Sequence, residues 1–283
     1  MAGAESGFVG RVTEKYRPIV NEYLMLWRRM GYFPHIRHPR SFNEKISHRK
    51  FYKPVPDGAL YADKFAVRGF VAGRGHGDTL TELYAHTRNP DEIDFEKLPS
   101  QFVVKATHGS GWNILVEDKN KIDRKAMIET CWKWLRSDHG VASNEFQYRG
   151  IPPAIVIEQL LVDRETRVPA DYRFLVFHGK VHYVHIDCDR FTLHTRRFYD
   201  RNWNPKDFTL GYPLAPVQEP PKKYEEMLAV AESLGRDFDF VRVDLYAVND
   251  EKIYFGELTL TPQGGRRAFG PNSEPDFLLG ALW

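Results

Sequence analysis

The sequence lacks any run of 18 apolar residues across its 283 positions, which excludes a membrane-spanning helix. A secretory leader is also missing: the opening stretch MAGAESGFVGRVTEKYRPIVNEY is too polar for an apolar h-region. Cysteine is scarce. Cys131 and Cys188 stand far apart and no CxxC pairs them, which argues against a disulfide scaffold and a cysteine-based zinc site. A reducing, cytoplasmic compartment is therefore expected. There is no excess of one charge: Lys+Arg is 40 and Asp+Glu is 38, for a net +2. That balance argues against a general polyanion-binding surface, so no nucleic-acid partner is expected, while a local basic groove stays compatible. The 11 histidines form no HExxH or HxH pattern and the serines no GxSxG elbow, which argues against a dedicated zinc site and a hydrolase nucleophile.

What is present is ordinary globular material. Hydrophobic residues make up 42 % and charged residues 28 %, enough to bury a sizeable core. Val20, Leu24, Trp27 and Met30 have helical spacing ahead of Gly31. Ser41 and Glu44 have the spacing of a capping box, opening a helix with Lys45 and Arg49 on one face. Tyr61 to Val71 reads as a further helix, followed by a flexible loop at 73–78. Phe102–Lys105 and Ile114–Val116 read as strands around a Gly-rich turn. Lys125–Leu135 reads as an amphipathic helix with Cys131 on its apolar face, and Ala154–Glu158 as a buried strand. Two hairpins follow. One turns at His178-Gly179, the other at Asn249-Asp250, and a helix from Pro220 to Leu234 lies between them. Hairpins mixed with helices predict an α+β fold, not a doubly wound parallel sheet. The expected divisions are 1–70, 71–160 and 161–283.

Several residue sets could carry chemistry. Lys105 ends a strand and is followed by Thr107 to Gly111, where Ser110 and Gly111 allow backbone N–H groups to approach a phosphate. The lysine precedes the glycines, so this is not a Walker A loop. Arg242 and Asp244 share one face of their strand by period-two alternation, as do Glu257 and Thr259 on the partner strand. Two facing carboxylates repel unless a cation lies between them, and Mg²⁺ suits such an oxygen-lined site. An Arg–Glu cross-strand pair is the structural alternative. Glu158 to Leu161 follows an apolar strand, Asp171 opens another, and Lys64 follows Asp63 at a helix start. Arg173, Lys180, Arg196, Arg197, Arg266 and Arg267 are available either for an acidic acceptor or as solvated surface.

Singly these signals are weak; their order is informative. It runs Asp63-Lys64, Lys105 with its loop, Glu158, Asp171, Arg242-x-Asp244, then Glu257-x-Thr259-x-Thr261-Pro262-x-Gly264-Gly265. That order resembles the ATP-grasp superfamily of carboxylate–amine ligases. Ser41 to Lys45, Ala62 to Lys64, Phe102 to Lys105 and His108 to Gly111 narrow it: the chain resembles the TupA-like ATP-grasp family, found with bacterial surface-polysaccharide and teichuronopeptide synthesis. The resemblance implies two α+β subdomains gripping ATP, with a helical N-terminal region. It implies Lys64 and Lys105 on the nucleotide phosphates, Ser110 and Gly111 in a mobile loop, and Glu158, Gln159, Leu160 and Leu161 as the adenine hinge. It further implies Asp171 on the ribose with Lys180 nearby, Arg242 beside the tetrahedral intermediate, and Asp244 and Glu257 as Mg²⁺ ligands. Thr259 stands where many superfamily members carry Asn, the third metal-side ligand, a place where a threonine hydroxyl gives a weaker neutral oxygen. The implied reaction joins a carboxylate to an amine through an acyl phosphate, with a sugar acid or amino acid as substrate. Two alternatives stay open: a small-molecule kinase, and a glycosyltransferase or polysaccharide-binding protein, for which Asp187-Cys188-Asp189 is a literal DxD.

Overall fold

The computed structural model describes residues 3–164, 167–188 and 193–283. Helix α1 (Gly3–Met30) opens the chain. Of the stripe expected to pack, only Met30 does so. Ile19, Tyr23, Leu26 and Met30 form the packed row against Ile36, while Val20, Leu24 and Trp27 stay exposed. Both rows obey helical spacing, and α1 is covered along the other one.

Helix α2 (Phe42–Phe51) starts with the expected capping box: Glu44 N donates to Ser41 Oγ (3.2 Å) and Ser41 N to Glu44 Oε2 (3.0 Å). Its Phe42 and Ile46 pack on Phe177, Phe240 and Phe269. Short helices α3 (Gly58–Ala62) and α4 (Ala66–Gly73) then lead into an antiparallel four-stranded sheet. Its order is β1 (Leu83–Thr87), β4 (Ile155–Glu158), β2 (Phe102–Ala106), β3 (Asn113–Val116). Helix α5 (Arg124–Leu135), capped by Asp123, covers it with Met127 and the buried Cys131. Helix α6 (His139–Ser143) precedes β4.

The second sheet is antiparallel and five-stranded: β10 (Lys252–Thr259), β9 (Phe240–Val248), β5 (Ala170–Phe177), β6 (Lys180–Cys188), β7 (Thr195–Asp200). Its two hairpins turn where the sequence places them. His178 and Gly179 have the positive φ that a two-residue hairpin turn of the primed type requires. Asn249 and Asp250 also have positive φ, in a three-residue turn closed by the Val248–Lys252 pair. One face carries Tyr172, Phe174, Val176, Val241, Val243 and Leu245 against α7 (Tyr224–Gly235). The other face is aromatic at one end, around Phe177 and Phe240, and charged at the other. A small ribbon pairs β8 (Thr209–Leu210) with β11 (Phe269–Gly270).

Helix α8 (Glu274–Ala281) crosses the start of α2. Asp276 accepts from Asn43 N (2.9 Å), Asn43 Nδ2 (2.9 Å) and Tyr32 O–H (2.7 Å). The crossing needs glycine: a Cβ on Gly280 would lie 2.1 Å from the Arg40 carbonyl oxygen. Gly280→Ala is therefore expected to cost about 1–3 kcal/mol through overpacking. Thermal unfolding checks this, with a drop of about 2–5 °C expected. An unchanged melting point would show that the crossing relaxes freely.

Candidate active site

A cavity of about 290 Å³ opens between the charged face of the five-stranded sheet, the four-stranded sheet and the α3–α4 junction. Each wall follows from local chain geometry. Asp63 caps α4, accepting from Phe65 N (2.8 Å) and Ala66 N (3.3 Å), and this fixes the direction of Lys64. The Lys64 ammonium donates to the Gly109 carbonyl, and Lys64 N reaches Thr107 O (3.4 Å). Burial pulls the Lys64 ammonium below its ordinary pKa, with Lys105 adding to the effect. One helical turn on, Arg68 donates to Glu158 Oε1 (3.0 Å) and the Thr81 carbonyl (2.6 Å). Lys105 Nζ donates to Glu158 Oε2 (2.7 Å). Strand pairing brings these two together, since Val103 faces Glu158 and Lys105 faces Val156. Gly111, at φ +74°, supplies the left-handed turn of the loop, and His108 donates a ring N–H to Trp134 O (3.0 Å), tying the loop to α5.

The floor comes from three neighbouring strands. Glu257 pairs with Asp244, Thr259 with Arg242, and Arg173 with Asp244. A β-bulge between Phe255 and Glu257 shifts the register just before this row. Arg242 donates to both oxygens of Asp244 (2.6 Å each) and, through Nη2, to Glu257 Oε1 (2.9 Å). Thr259 Oγ1 donates to the same Glu257 oxygen (2.6 Å). Burial pushes the Asp244 carboxyl up to about 7, against the pull of Arg242 and Arg173. Glu257, 45 % exposed within the cleft, behaves oppositely: Arg242 and Lys64 outweigh desolvation and hold it below the ordinary range.

Behind this floor a charge lattice runs across the sheet. Arg173 donates to Asp171 (2.8 and 3.0 Å) and Asp187 (2.6 Å), and Arg196 donates to Asp187 (2.5 and 2.8 Å). The Asp187 side chain has no exposed surface and that of Arg196 has 1 %.

The structure brings together Lys64, Lys105, Ser110, Gly111, Glu158, Asp171, Arg242, Asp244 and Glu257 along one cavity. Thr259 stands beside Glu257 as described. Gln159, Leu160 and Leu161 follow β4 outside the cavity lining, and Gln159 N extends the strand pairing to Glu82 O (2.9 Å). Lys180 is separated from the site. It faces Phe177 at the hairpin turn, and β5 puts that end about 20 Å from Asp171. The surplus arginines are mostly engaged internally: Arg173 and Arg196 in the lattice, Arg197 on the Ala215 carbonyl (2.6 Å), Arg266 on Glu22 (2.8 Å). Asp187 is enclosed by arginines, which removes it from any metal-binding DxD; Asp189 lies outside the described residues.

Sequence reasoning missed Arg68, whose only signal is its position four residues after Lys64. It also missed the 145–148 segment. Thr261 Oγ1 donates to Glu145 (2.5 Å) and Gln147 Nε2 to Thr261 (2.7 Å), which ties this segment to the end of β10. Burial, then Glu257 and Glu145, push the Tyr148 phenol far above its ordinary pKa, so it stays protonated beside the floor.

The cavity thus carries the cations Lys64, Arg68 and Lys105 on one side and, on the other, the carboxylates of Asp244 and Glu257 with Arg242 between them. Asp244 and Glu257 fit Mg²⁺ by donor type. Among the described residues no three His, Cys, Asp or Glu side chains form a metal cluster. Mg²⁺ typically takes one or two carboxylates and completes its shell from phosphates and water.

The chain belongs to the TupA-like ATPgrasp family, whose model matches residues 44–283. No curated protein matches. Among solved structures it is similar to D-alanine–D-alanine ligase from Bacillus anthracis complexed with ATP. That match has 17 % identity and a TM-score of 0.44, covering 71 % of this chain and 54 % of that one. It is also similar to the VanG D-Ala:D-Ser ligase from Enterococcus faecalis, with 14 % identity, a TM-score of 0.48 and coverages of 80 % and 58 %. The chain thus spans little more than half the length of these proteins.

Proposed function

We propose that the protein is a Mg-ATP-dependent carboxylate–amine ligase that forms an amide through an acyl phosphate, with a sugar acid or amino acid as substrate. The observation that carries this reading is the single cavity joining Lys64, Arg68 and Lys105 to Arg242, Asp244 and Glu257. We also read the four-stranded sheet, within 71–160, and the five-stranded sheet, within 161–283, as the two subdomains that grip the nucleotide.

A carboxylate is a poor electrophile because its leaving group is oxide. Transfer of the γ-phosphoryl group from ATP gives an acyl phosphate and ADP. An amine then attacks the carbonyl carbon and phosphate leaves with the bonding pair, giving an amide. When bound, Mg²⁺ supplies charge neutralisation on the phosphates, held by Asp244 and Glu257. Lys64 and Lys105 place positive charge where the phosphates lie, in a partly dehydrated cleft that strengthens the attraction. Arg242 is fixed by two carboxylates and needs no reorganisation to face a developing oxyanion. The Gly-rich loop over the cavity limits access of water to the acyl phosphate.

The test is incubation with Mg-ATP and pooled sugar acids and amino acids, following ADP, phosphate and product mass. ADP with free phosphate, and a product one water lighter than its two substrates, is expected. A phosphorylated product without free phosphate establishes the kinase instead. ATP left intact, with no ATP-induced thermal shift, removes the nucleotide site. Lys105→Ala is expected to weaken ATP binding about ten- to a hundred-fold, the range for losing a hydrogen bond from a charged group. Calorimetric titration checks it, and unchanged affinity would place the phosphates elsewhere.

A further inference from the structure

The family match begins at residue 44, so α1 and the segment after it lie outside the matched region. This part has a surface unlike the rest. Val20, Leu24 and Trp27 are 51 %, 44 % and 54 % exposed, and Phe33, just past the helix end, is 64 % exposed. Positions 17, 20, 24, 27 and 28 share one face of α1, so Arg17 and Arg28 bracket the apolar row. Both arginines are exposed. Arg37 lies over the ring of the exposed Tyr52 (5.8 Å).

The charge distribution is one-sided. From Arg17 to Pro56 every exposed charged side chain is basic: Arg17, Arg28, Arg29, Arg37, Arg40 and Lys53. The two acids of that stretch, Glu22 and Glu44, are fully buried. Glu22 is consumed by Lys50 (2.5 Å), Ser47 (2.8 Å) and Arg266 (2.8 Å), and Glu44 by the α2 cap. In a chain of net charge only +2, the two charged residues that share the face of the bare aromatic and aliphatic row, Arg17 and Arg28, are both cations.

We propose that this face docks on an anionic lipid bilayer. Trp27, Leu24, Val20 and Phe33 enter the headgroup boundary, and the flanking arginines face the lipid phosphates. Charge complementarity selects this occupant. An apolar row with a tryptophan and a purely basic rim is the pattern of a helix lying in the interfacial plane. No helix among the described residues is long and apolar enough to cross a membrane, so the attachment is peripheral and reversible. It brings the cavity to substrates at a membrane surface and does not depend on which acid and amine are joined.

The test is co-sedimentation of the full chain with vesicles of phosphatidylcholine alone, or with one part in three phosphatidylglycerol. Binding to the anionic vesicles is expected to exceed binding to neutral ones by about 25-fold and to fall in high salt, since Arg17 and Arg28 near the surface each contribute about five-fold. Leu24→Glu with Trp27→Glu is expected to abolish binding, and Arg17→Glu with Arg28→Glu to reduce it at least ten-fold relative to the parent. Both double variants leave the packed row of α1 untouched, so circular dichroism and melting temperature should match the parent. Equal pelleting with both vesicle types overturns the proposal. So does pelleting that survives both double variants. A dimer broken by Trp27→Glu without vesicle binding assigns the face to a second copy, and RNA binding without vesicle binding assigns it to nucleic acid; either outcome rejects the lipid surface.

Discussion

Glu257→Ala is expected to lower kcat by about 10²–10³-fold or more, the range for removing a group that stabilises transition-state charge, with ATP affinity little changed. The asymmetry follows from position. Lys64 and Lys105 stay in place to hold the nucleotide. The lost group is the more exposed of the two carboxylates on Arg242, 45 % exposed in the cleft against 4 % for Asp244. Arg242 keeps both hydrogen bonds to Asp244, so its side chain remains paired and the fold survives. ADP release under saturating ATP, with calorimetry on the same sample, separates turnover from binding. Normal turnover in the variant would remove Glu257 from the metal site.

Asp187→Ala is expected to destabilise the fold by about 3–5 kcal/mol, because two buried guanidinium groups lose their shared carboxylate. Arg173 would keep Asp171, but Arg196 would be left with neutral partners, the Leu210 carbonyl, the Gln263 amide and the Tyr212 ring. Urea unfolding measures it, and a loss under about 1 kcal/mol would mean that water replaces the carboxylate. The same cluster sets an acid limit. Burial raises the Asp187 carboxyl, yet His185, Arg196 and Arg173 outweigh it and hold it far below its ordinary value. A carboxyl depressed in the folded state contributes stability above about pH 4, and that contribution fades with further acid. Burial, then Arg196, depress the His185 imidazole well below its ordinary range. The unfolded chain therefore takes up a proton at His185 below about pH 6.5 that the folded chain does not, which lowers stability as acid is added. Asp244 works in the opposite sense, since its raised carboxyl takes up a proton in the fold and stabilises it as acid is added. The His185 contribution is therefore read by comparison: His185→Gln should lose less melting temperature between pH 7 and pH 5 than the parent, and an equal loss would contradict this.

The hairpins were legible because their turn residues and alternation act locally. That Asp244 and Glu257 lie close on adjacent strands followed from them, because both residues flank one short turn; the third turn residue and the bulge at Phe255–Glu257 that set their exact pairing carry no local signal. Other features were hidden by distance in sequence. Asp187 read as half of a DxD, and Arg173 and Arg196 as charge for an acidic acceptor or for solvent, since nothing local shows that one carboxylate will meet two arginines from neighbouring strands. Lys180 looked close to Asp171 because sequence proximity hides which end of a hairpin a residue occupies. Arg68 was invisible as a single helical arginine until Glu158 arrived from β4. On α1 the apolar rows at 19–30 and 20–27 could not be ranked, because amphipathic spacing says nothing about which side finds a partner.

The crossing of α8 over α2 has a consequence for synthesis. Asn43 and its capping partner Asp276 are 233 positions apart. At about 5–20 residues per second, roughly 12–47 seconds separate their emergence from the ribosome. Through that interval the start of α2 lacks the Asp276 carboxylate, and Phe42 waits for Phe177, Phe240 and Phe269 to be made in turn, the last of them only shortly before Asp276. The nascent chain must then carry an aromatic surface that only its last-made segments can close, which makes it a natural client for chaperones that hold apolar segments until translation ends.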